Sequence, residues 1–547
     1  MKKALLYMVF MTSFSCFSQE KHVEKPNVVY LFSDEHRYQS MQFTETPEVI
    51  TPNMNRLAQE GVSFKNAISN NPVCAPHRSM LLSGQWCHST GMVDNNGTLA
   101  PWDQTLGNVF KDAGYTTGYT GKWHAGKYPK LAGFDWHMHW DGTNNHLNSS
   151  WIDLHGTGDR YKSTTYNATK MTDQALGFID DATKNSSPFF LMVSWNPPHA
   201  VFTDPPENKK LLYPSPEQLP WRANAADKSK DKWWKDYQGY HAHISAIDDE
   251  IGRVIKKLEE LGIADNTIVI YSTDHGSMMN SHGKGNKRHP FEESIRVPFL
   301  VRQSGSIPSG QVKDELFGSI DIFPTLCGLA GIDIPLFCDG QDFSPTIYGQ
   351  KGPDPESQFI MQIGNARLKG DINKWHTPFF RGVRSKRYTY TVNNNGPWQL
   401  FDNLLDPYQE NNLSKDANYT EVSKQLQKEL DYWIEKAENP FMHQDYHAMP
   451  LNERIYKQAL LHSKKNQQLK EFTSRLKLSP KQEAQLETIR DSLYGKNGKP
   501  LNTTGGSKSW DAADKALRKK IKSMLTLNQL KRFAALEEFE SSALTNK

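Results

Sequence analysis

The chain has 547 residues, long enough for a large buried core and more than one domain. Hydrophobic residues make up 37% and aromatics 11%, the balance of an ordinary globular protein. A net charge of +3 gives no argument for nucleic-acid binding, and five cysteines in this length exclude a disulfide scaffold.

Residues 1–18 read as a signal peptide. Lys2 and Lys3 form the basic n-region, and Ala4 to Phe17 is apolar but too short to anchor the mature chain. Cleavage is expected at Ser18-Gln19, with Cys16 and Ser18 at the small-residue positions. Lipidation of Cys16 is the competing reading, weakened because Ser13-Phe14-Ser15 makes a poor lipobox. The expected protein is exported and periplasmic, with secretion or a surface lipoprotein as alternatives. No other run of eighteen apolar residues occurs, so no membrane span is expected.

Residues 19–348 read as an α/β domain built on a large, mostly parallel sheet flanked by helices. Asn27 to Phe32, Thr116 to Thr120, Phe189 to Trp195 and Thr267 to Tyr271 are short apolar runs that predict buried strands. Between the last two, Ile244, Ile247, Ile251, Val254, Ile255, Leu258 and Leu261 recur at helical spacing, with Gly262 as the C-cap. Helix, turn and buried strand in succession is the rhythm of a parallel sheet. Residues 349–440 read as a smaller α+β domain. Arg381 through Tyr390 predicts hairpin strands, Leu400-Phe401-Asp402 follows, and Glu421 to Glu438 predicts an amphipathic helix. Residues 441–547 form a basic helical extension with 20 Lys/Arg against 11 Asp/Glu, net +9. Its Leu478-Ser479-Pro480 and Leu525-Thr526-Leu527 stretches read as helix N-caps.

Each of the four strands is followed by residues that carry chemistry. Asp34-Glu35 follows the first, Gly121-Lys122-Trp123-His124 the second, Asn196-Pro197-Pro198-His199 the third, and Asp274-His275-Gly276 the fourth. Ligands in open α/β sheets bind beyond the carboxyl ends of the strands, so the four segments are expected to converge. A fifth segment, Cys74-Ala75-Pro76-His77-Arg78, closes with Ser83-Gly84. A sixth runs from Lys287 through Phe291-Glu292-Glu293-Ser294 to Arg296-Val297-Pro298.

The C-x-P-x-R-x-x-x-x-S-G spacing resembles the signature of the type I sulfatases, in the alkaline-phosphatase-like superfamily, with Ser83 where threonine is usual. The resemblance extends over roughly residues 26 to 440. It implies that Cys74 is oxidised by a formylglycine-generating enzyme to formylglycine (3-oxoalanine), the nucleophile. It implies one calcium ion held by Asp34, Glu35, residue 74, Asp274 and His275. Glu35 departs from the usual aspartate, and His275 is a soft ligand for calcium. Arg78, Lys122 and Lys287 would neutralise the sulfate oxygens. His199, helped by Lys287, would protonate the leaving alcohol, and His124 would deprotonate the second hydroxyl so that sulfate departs and the aldehyde returns. Glu292, Glu293 and Arg296 are expected in structural ion pairs. With Cys74 converted, Cys87, Cys327 and Cys338 are an odd set, so at least one stays unpaired. Trp123, Trp195, Asn196, Arg288 and His289 either line sugar subsites or pack behind the site.

The implied activity is hydrolysis of a sulfate ester on a carbohydrate, such as an algal polysaccharide like ulvan. A phosphate or phosphonate ester hydrolase on the same fold, or an inactive protein that binds sulfated glycan, would share parts of this pattern. Neither a nucleic-acid partner nor a second cofactor is implied.

Overall fold

The computed structural model describes residues 25–437, apart from 96, 98, 100–104, 127–131, 141–143, 154–159, 186, 336, 364–377 and 394. The expected signal peptide at 1–18 and the basic extension at 441–547 lie outside the described residues.

The apolar runs become strands of a ten-stranded sheet. In chain order these are β1 (Asn27–Ser33), β2 (Val62–Ile68), β3 (Thr116–Gly121), β4 (Trp136–Trp140), β5 (Ser149–Asp153), β6 (Arg160–Ser163), β7 (Phe189–Ser194), β8 (Thr267–Thr273), β9 (Phe299–Arg302) and β10 (Gln311–Gly318). Their spatial order is β10-β2-β9-β8-β1-β7-β3-β4-β5-β6. The centre is parallel: β1 pairs with β8 on one side and β7 on the other, and β7 pairs with β3. Antiparallel pairs occur where β9 inserts between β2 and β8, and where β5 and β6 extend the far edge.

A central strand covered on both faces must be apolar on both, which is why these segments read as continuous runs. All seven residues of β1 are buried. Their alternation divides them between two cores: Val28, Tyr30 and Phe32 join one, Val29 and Leu31 the other. The second core is covered by a long helix, Lys230–Glu260, whose Ile244, Ile247, Ile251, Val254, Ile255 and Leu258 are all buried. This helix begins well before the aliphatic pattern. Its first turns bury Tyr237, Tyr240, His241 and His243, residues whose polar atoms hide the periodicity. Gly262 follows it at φ +69°, the left-handed conformation expected of a cap.

The smaller domain is an antiparallel sheet of β11 (Ser357–Gln362), β12 (Phe380–Ser385), β13 (Tyr388–Asn393) and β14 (Gly396–Asp402). The helix Thr420–Lys436 buries Leu426, Leu430 and Trp433 against it. Met80 and Trp86 from the larger domain share this core with Phe359 and Trp433. The helix Cys74–Ser83, all ten residues of which are buried, is thus held between the two sheets. Among the described residues Cys74, Cys87 and Cys327 are free thiols.

Candidate active site

β8, β1, β7 and β3 are neighbours running in one direction, so their carboxyl ends open on one edge. Asp274, Asp34, Asn196 and Lys122 follow these strands directly or within two residues. The expected convergence is therefore a consequence of strand order. Cys74 arrives from the other direction, at the first turn of the helix Cys74–Ser83, after the loop that leaves β2. A helix N-terminus favours an anion at that place.

Arg78 lies one turn further along the same helix, and both of its terminal nitrogens are held. Its Nη1 donates to the Lys122 carbonyl (2.7 Å) and to Ser194 Oγ (2.8 Å), while Nη2 donates to Asp34 Oδ2 (2.8 Å). The guanidinium also stacks over the Phe32 ring, 4.8 Å from its centroid. Lys122 Nζ reaches the same Asp34 oxygen at 2.7 Å. Lys287 Nζ lies 3.2 Å from Cys74 Sγ and 3.2 Å from Glu35 Oε1. His275 Nε2 is also 3.2 Å from the sulfur, and its Nδ1 donates to the Gly276 carbonyl at 2.9 Å. Nε2 is therefore the ring nitrogen turned into the site.

Charge dominates the chemistry of this cluster. Burial pushes the Cys74 thiol up and Asp34 adds to that, yet Lys287, Lys122 and His275 outweigh both and bring it down to about 6. Burial and the neighbouring Asp34 push Asp274 up to about 7. Its Oδ1 accepts from the amides of Glu35 (3.0 Å) and His275 (2.9 Å), whereas its Oδ2 is buried with no hydrogen-bond partner among the described residues. Such a pair of crowded carboxylates, one with an orphaned oxygen, suits a hard dication. Asp34, Cys74, Asp274 and His275 present donor atoms within 4.8 Å of one another. Glu35, expected with them, lies within 4.8 Å of Asp34 and His199 in an adjoining group of possible ligands, and its carboxylate contacts Lys287 and His199 Nε2 at 3.7 Å. Its backbone sits at φ +71°, and together with the longer side chain this sets it beside the quartet.

The two remaining histidines are half-buried and neutral. Burial, then Lys122 and Lys287, push His199 down to about 3; its Nδ1 donates to the Ala200 carbonyl at 2.7 Å. Burial, then Lys122 and Arg78, push His124 down to about 3, and its Nδ1 has no partner among the described residues.

Two other expectations resolve clearly. Glu292 and Glu293 are structural: Glu292 accepts from Arg384 (2.9 and 3.0 Å) and Glu293 from Arg222 (2.7 Å). Of the possible sugar-facing aromatics, both tryptophans are core. Trp195 is fully buried with its Nε1 on Thr172, and Trp123 packs edge-on to Tyr119 and Phe134. Arg288 holds Asp94 at 2.7 Å. Sequence reasoning missed Ser194, which seats Arg78, and His77, which ties the cysteine helix to Ser69 and Ser319 (3.2 and 2.9 Å). His77 stood inside the motif, and its place in the first turn of a wholly buried helix was the available signal.

A buried thiol at a helix N-terminus, three cations around it and a group of side chains able to hold a metal thus gather beyond a parallel sheet, an arrangement suited to an anionic ester. The chain belongs to the sulfatase family: the family model described as Sulfatase matches residues 26–332. A second model, N-sulphoglucosamine sulphohydrolase, C-terminal, matches residues 280–436, across the smaller sheet. An "Ulvan-active sulfatase" of Formosa agariphila is 32% identical over 82% of this chain and 90% of that protein. An "Endo-4-O-sulfatase" of Bacteroides thetaiotaomicron is 30% identical over 80% of this chain and 96% of its own length. A solved B. thetaiotaomicron structure, from work on the metabolism of multiple glycosaminoglycans, superposes with a TM-score of 0.69 at 27% identity, covering 79% of this chain and all of that one.

Proposed function

We propose that this sulfatase removes sulfate from a sulfated polysaccharide or oligosaccharide, with ulvan fragments as the first substrate to try. The observation that carries the reading is Cys74 at a helix N-terminus with Lys287 and His275 each 3.2 Å from its sulfur. Similarity to the ulvan-active and endo-4-O relatives supports the carbohydrate class.

Residue 74 is converted to formylglycine by a maturing enzyme; in that form it supplies a hydrated aldehyde whose hydroxyl is the nucleophile. Asp34, Asp274, His275 and residue 74 would hold calcium, and a bound dication would supply charge neutralisation for the sulfate oxygens. Glu35 joins the site by holding Lys287 and His199. Arg78 is immobilised by three acceptors, so it costs little reorganisation when it holds the polar group at residue 74. Lys122 neutralises Asp34 and faces the incoming ester. Lys287 keeps its proton: burial alone would lower it, but the anions around it, Cys74 and Glu35 first, raise it well above the usual lysine range. His199 is neutral before substrate binds, with Nδ1 committed to Ala200, so Nε2 is the nitrogen that exchanges a proton. The negative charge of a bound sulfate ester raises it and arms it as donor to the leaving alcohol. His124 is the base for the second half of the reaction. Hydrolysis takes place after export, in the periplasm.

The test combines peptide mass spectrometry at residue 74 with desulfation of defined ulvan, glycosaminoglycan and carrageenan oligosaccharides, beside a phosphate ester of matched leaving group. An aldehyde at 74 and release of sulfate from a glycan are expected. Full activity in Cys74→Ala, or preference for the phosphate ester, would overturn the reading.

A further inference from the structure

Behind the strand-end loop that carries His199 lies a second group of ligating side chains. His146 sits in the loop between β4 and β5, Asp204 in the loop after β7, and His243 on the long helix Lys230–Glu260. His146 Nδ1 is 2.7 Å from Asp204 Oδ1, and His243 Nε2 is 3.6 Å from the same oxygen. The three donor atoms lie within 4.8 Å of one another. Both imidazoles are fully buried, while Asp204 is 19% exposed. None of the three takes part in the catalytic cluster.

We propose that His146, Asp204 and His243 form a second metal site, selective for a divalent transition ion such as zinc over calcium. Two imidazole nitrogens and one carboxylate are the donors zinc favours and calcium does not. Bonds near 2.0–2.2 Å place tetrahedral ligands about 3.3–3.6 Å apart; the His243–Asp204 separation of 3.6 Å already matches, and the 2.7 Å His146–Asp204 pair opens as its hydrogen bond is replaced by the ion. The Val201 carbonyl, 3.2 Å from His243 Nε2, and water entering at the exposed side of Asp204 are available for the fourth position.

The surroundings fit as well. Ligating histidines are oriented by a partner on their other ring nitrogen. His243 Nδ1 has Tyr166 Oη at 2.7 Å, and His146 Nε2 has the Asn196 amide nitrogen at 3.1 Å. Asn196 Oδ1 is buried and has no partner among the described residues. With a metal on His146 Nδ1, the ring proton moves to Nε2, and a half-turn of the Asn196 amide gives that orphaned oxygen its donor. His243 likewise moves its proton to Nδ1, where the Tyr166 oxygen accepts it, so both rings stay neutral and no proton is lost. Asp204 is held in place by the His146 amide, which donates to its Oδ2 at 2.8 Å.

The ion would staple three distant segments. One of them holds Asn196, whose carbonyl accepts from the His199 amide at 3.1 Å. The site therefore supports the loop that aims His199 without touching the reacting atoms.

The test uses the full chain, stripped with a chelator and returned to excess calcium, then titrated with zinc chloride. Zinc is counted by elemental analysis after desalting, and its ligands are read by X-ray absorption. One zinc per chain with two imidazole nitrogens and no sulfur is expected, with a higher melting temperature. Asp204→Asn and His243→Gln should each weaken zinc at least about tenfold. Cys74→Ser should keep the zinc, which separates this site from the catalytic one and from the sulfatase reading. Failure of the wild type to retain zinc, sulfur in its coordination shell, or undiminished zinc in both folded variants would overturn the proposal. Should either variant not fold, the absorption spectrum of the wild type decides alone.

Discussion

Lys287 and His275, each 3.2 Å from the Cys74 sulfur, show how few side chains set the reactivity of position 74. Replacing Cys74 with alanine removes the proposed nucleophile, and turnover should vanish while calorimetry still reports a folded protein. His199 makes a finer prediction. A general acid matters in proportion to how poor the leaving group is. His199→Ala should cost about 10²–10⁴-fold on a sulfated sugar, and far less on an aryl sulfate whose phenol leaves unaided. Equal losses on both would remove His199 from the donor role. Asp274 carries the metal prediction. With Oδ2 making no hydrogen bond among the described residues, and burial and then Asp34 pushing its carboxyl up to about 7, it is the acid expected to gain most from a cation. Chelation should abolish activity, calcium should restore it, and Asp274→Asn should lose calcium by titration calorimetry.

At the level of elements, the helix Cys74–Ser83 belongs to two domains at once. Met80 and Trp86 pack with Phe359 and Trp433, so the smaller sheet is part of the mounting of Cys74. The short helix Glu292–Ile295, which follows Lys287, is tied to the same sheet by the buried Glu292–Arg384 pair. Breaking a buried pair leaves a desolvated charge behind, so Glu292→Ala should cost about 3–5 kcal/mol. Replacing both partners with apolar residues should cost much less. Urea melts of the single and double variants separate the two cases. The sequence pointed to structural ion pairs at Glu292 and Glu293 and to hairpin strands from Arg381. It did not announce that they meet, because an ion pair between residues 292 and 384 has no local signature.

For the molecule as a whole, buried histidines set the acid limit of stability. His241 is fully buried on the long helix, with Nδ1 at 2.8 Å from the Tyr237 carbonyl and Nε2 at 3.0 Å from Ser40 Oγ. Burial, then Arg37, holds it well below the ordinary histidine range. The unfolded chain takes up a proton there that the folded chain refuses. Its contribution to stability is complete above about pH 6.5 and is lost as pH falls toward the folded value. Melting temperature should therefore drop from pH 7 to pH 5. His241→Gln should flatten that slope by about 1.4 kcal/mol per pH unit. An unchanged slope would clear His241 of the effect. Truncation near Pro440 tests the basic extension at the same scale. Turnover of a small aryl sulfate should persist, and retention on a sulfated polysaccharide should weaken most at low salt.

What the sequence by itself determined is the chemistry that is local in the chain. Asp34, Lys122, His199 and Asp274 each follow an apolar run within a few residues, and parallel strands that share a direction must deliver their ends to one edge. The cysteine motif carries its own arginine one helical turn away. Tertiary structure alone decided which groups face which. It set Glu35 on Lys287 and His199, because its left-handed backbone and extra methylene carry the carboxylate past the quartet. It buried Trp123 and Trp195, since an aromatic after a central strand falls into whichever core the pleat assigns it. And it gathered His146, Asp204 and His243 from a loop, a second loop and a helix, a constellation with no spacing to read because only packing brings its members together.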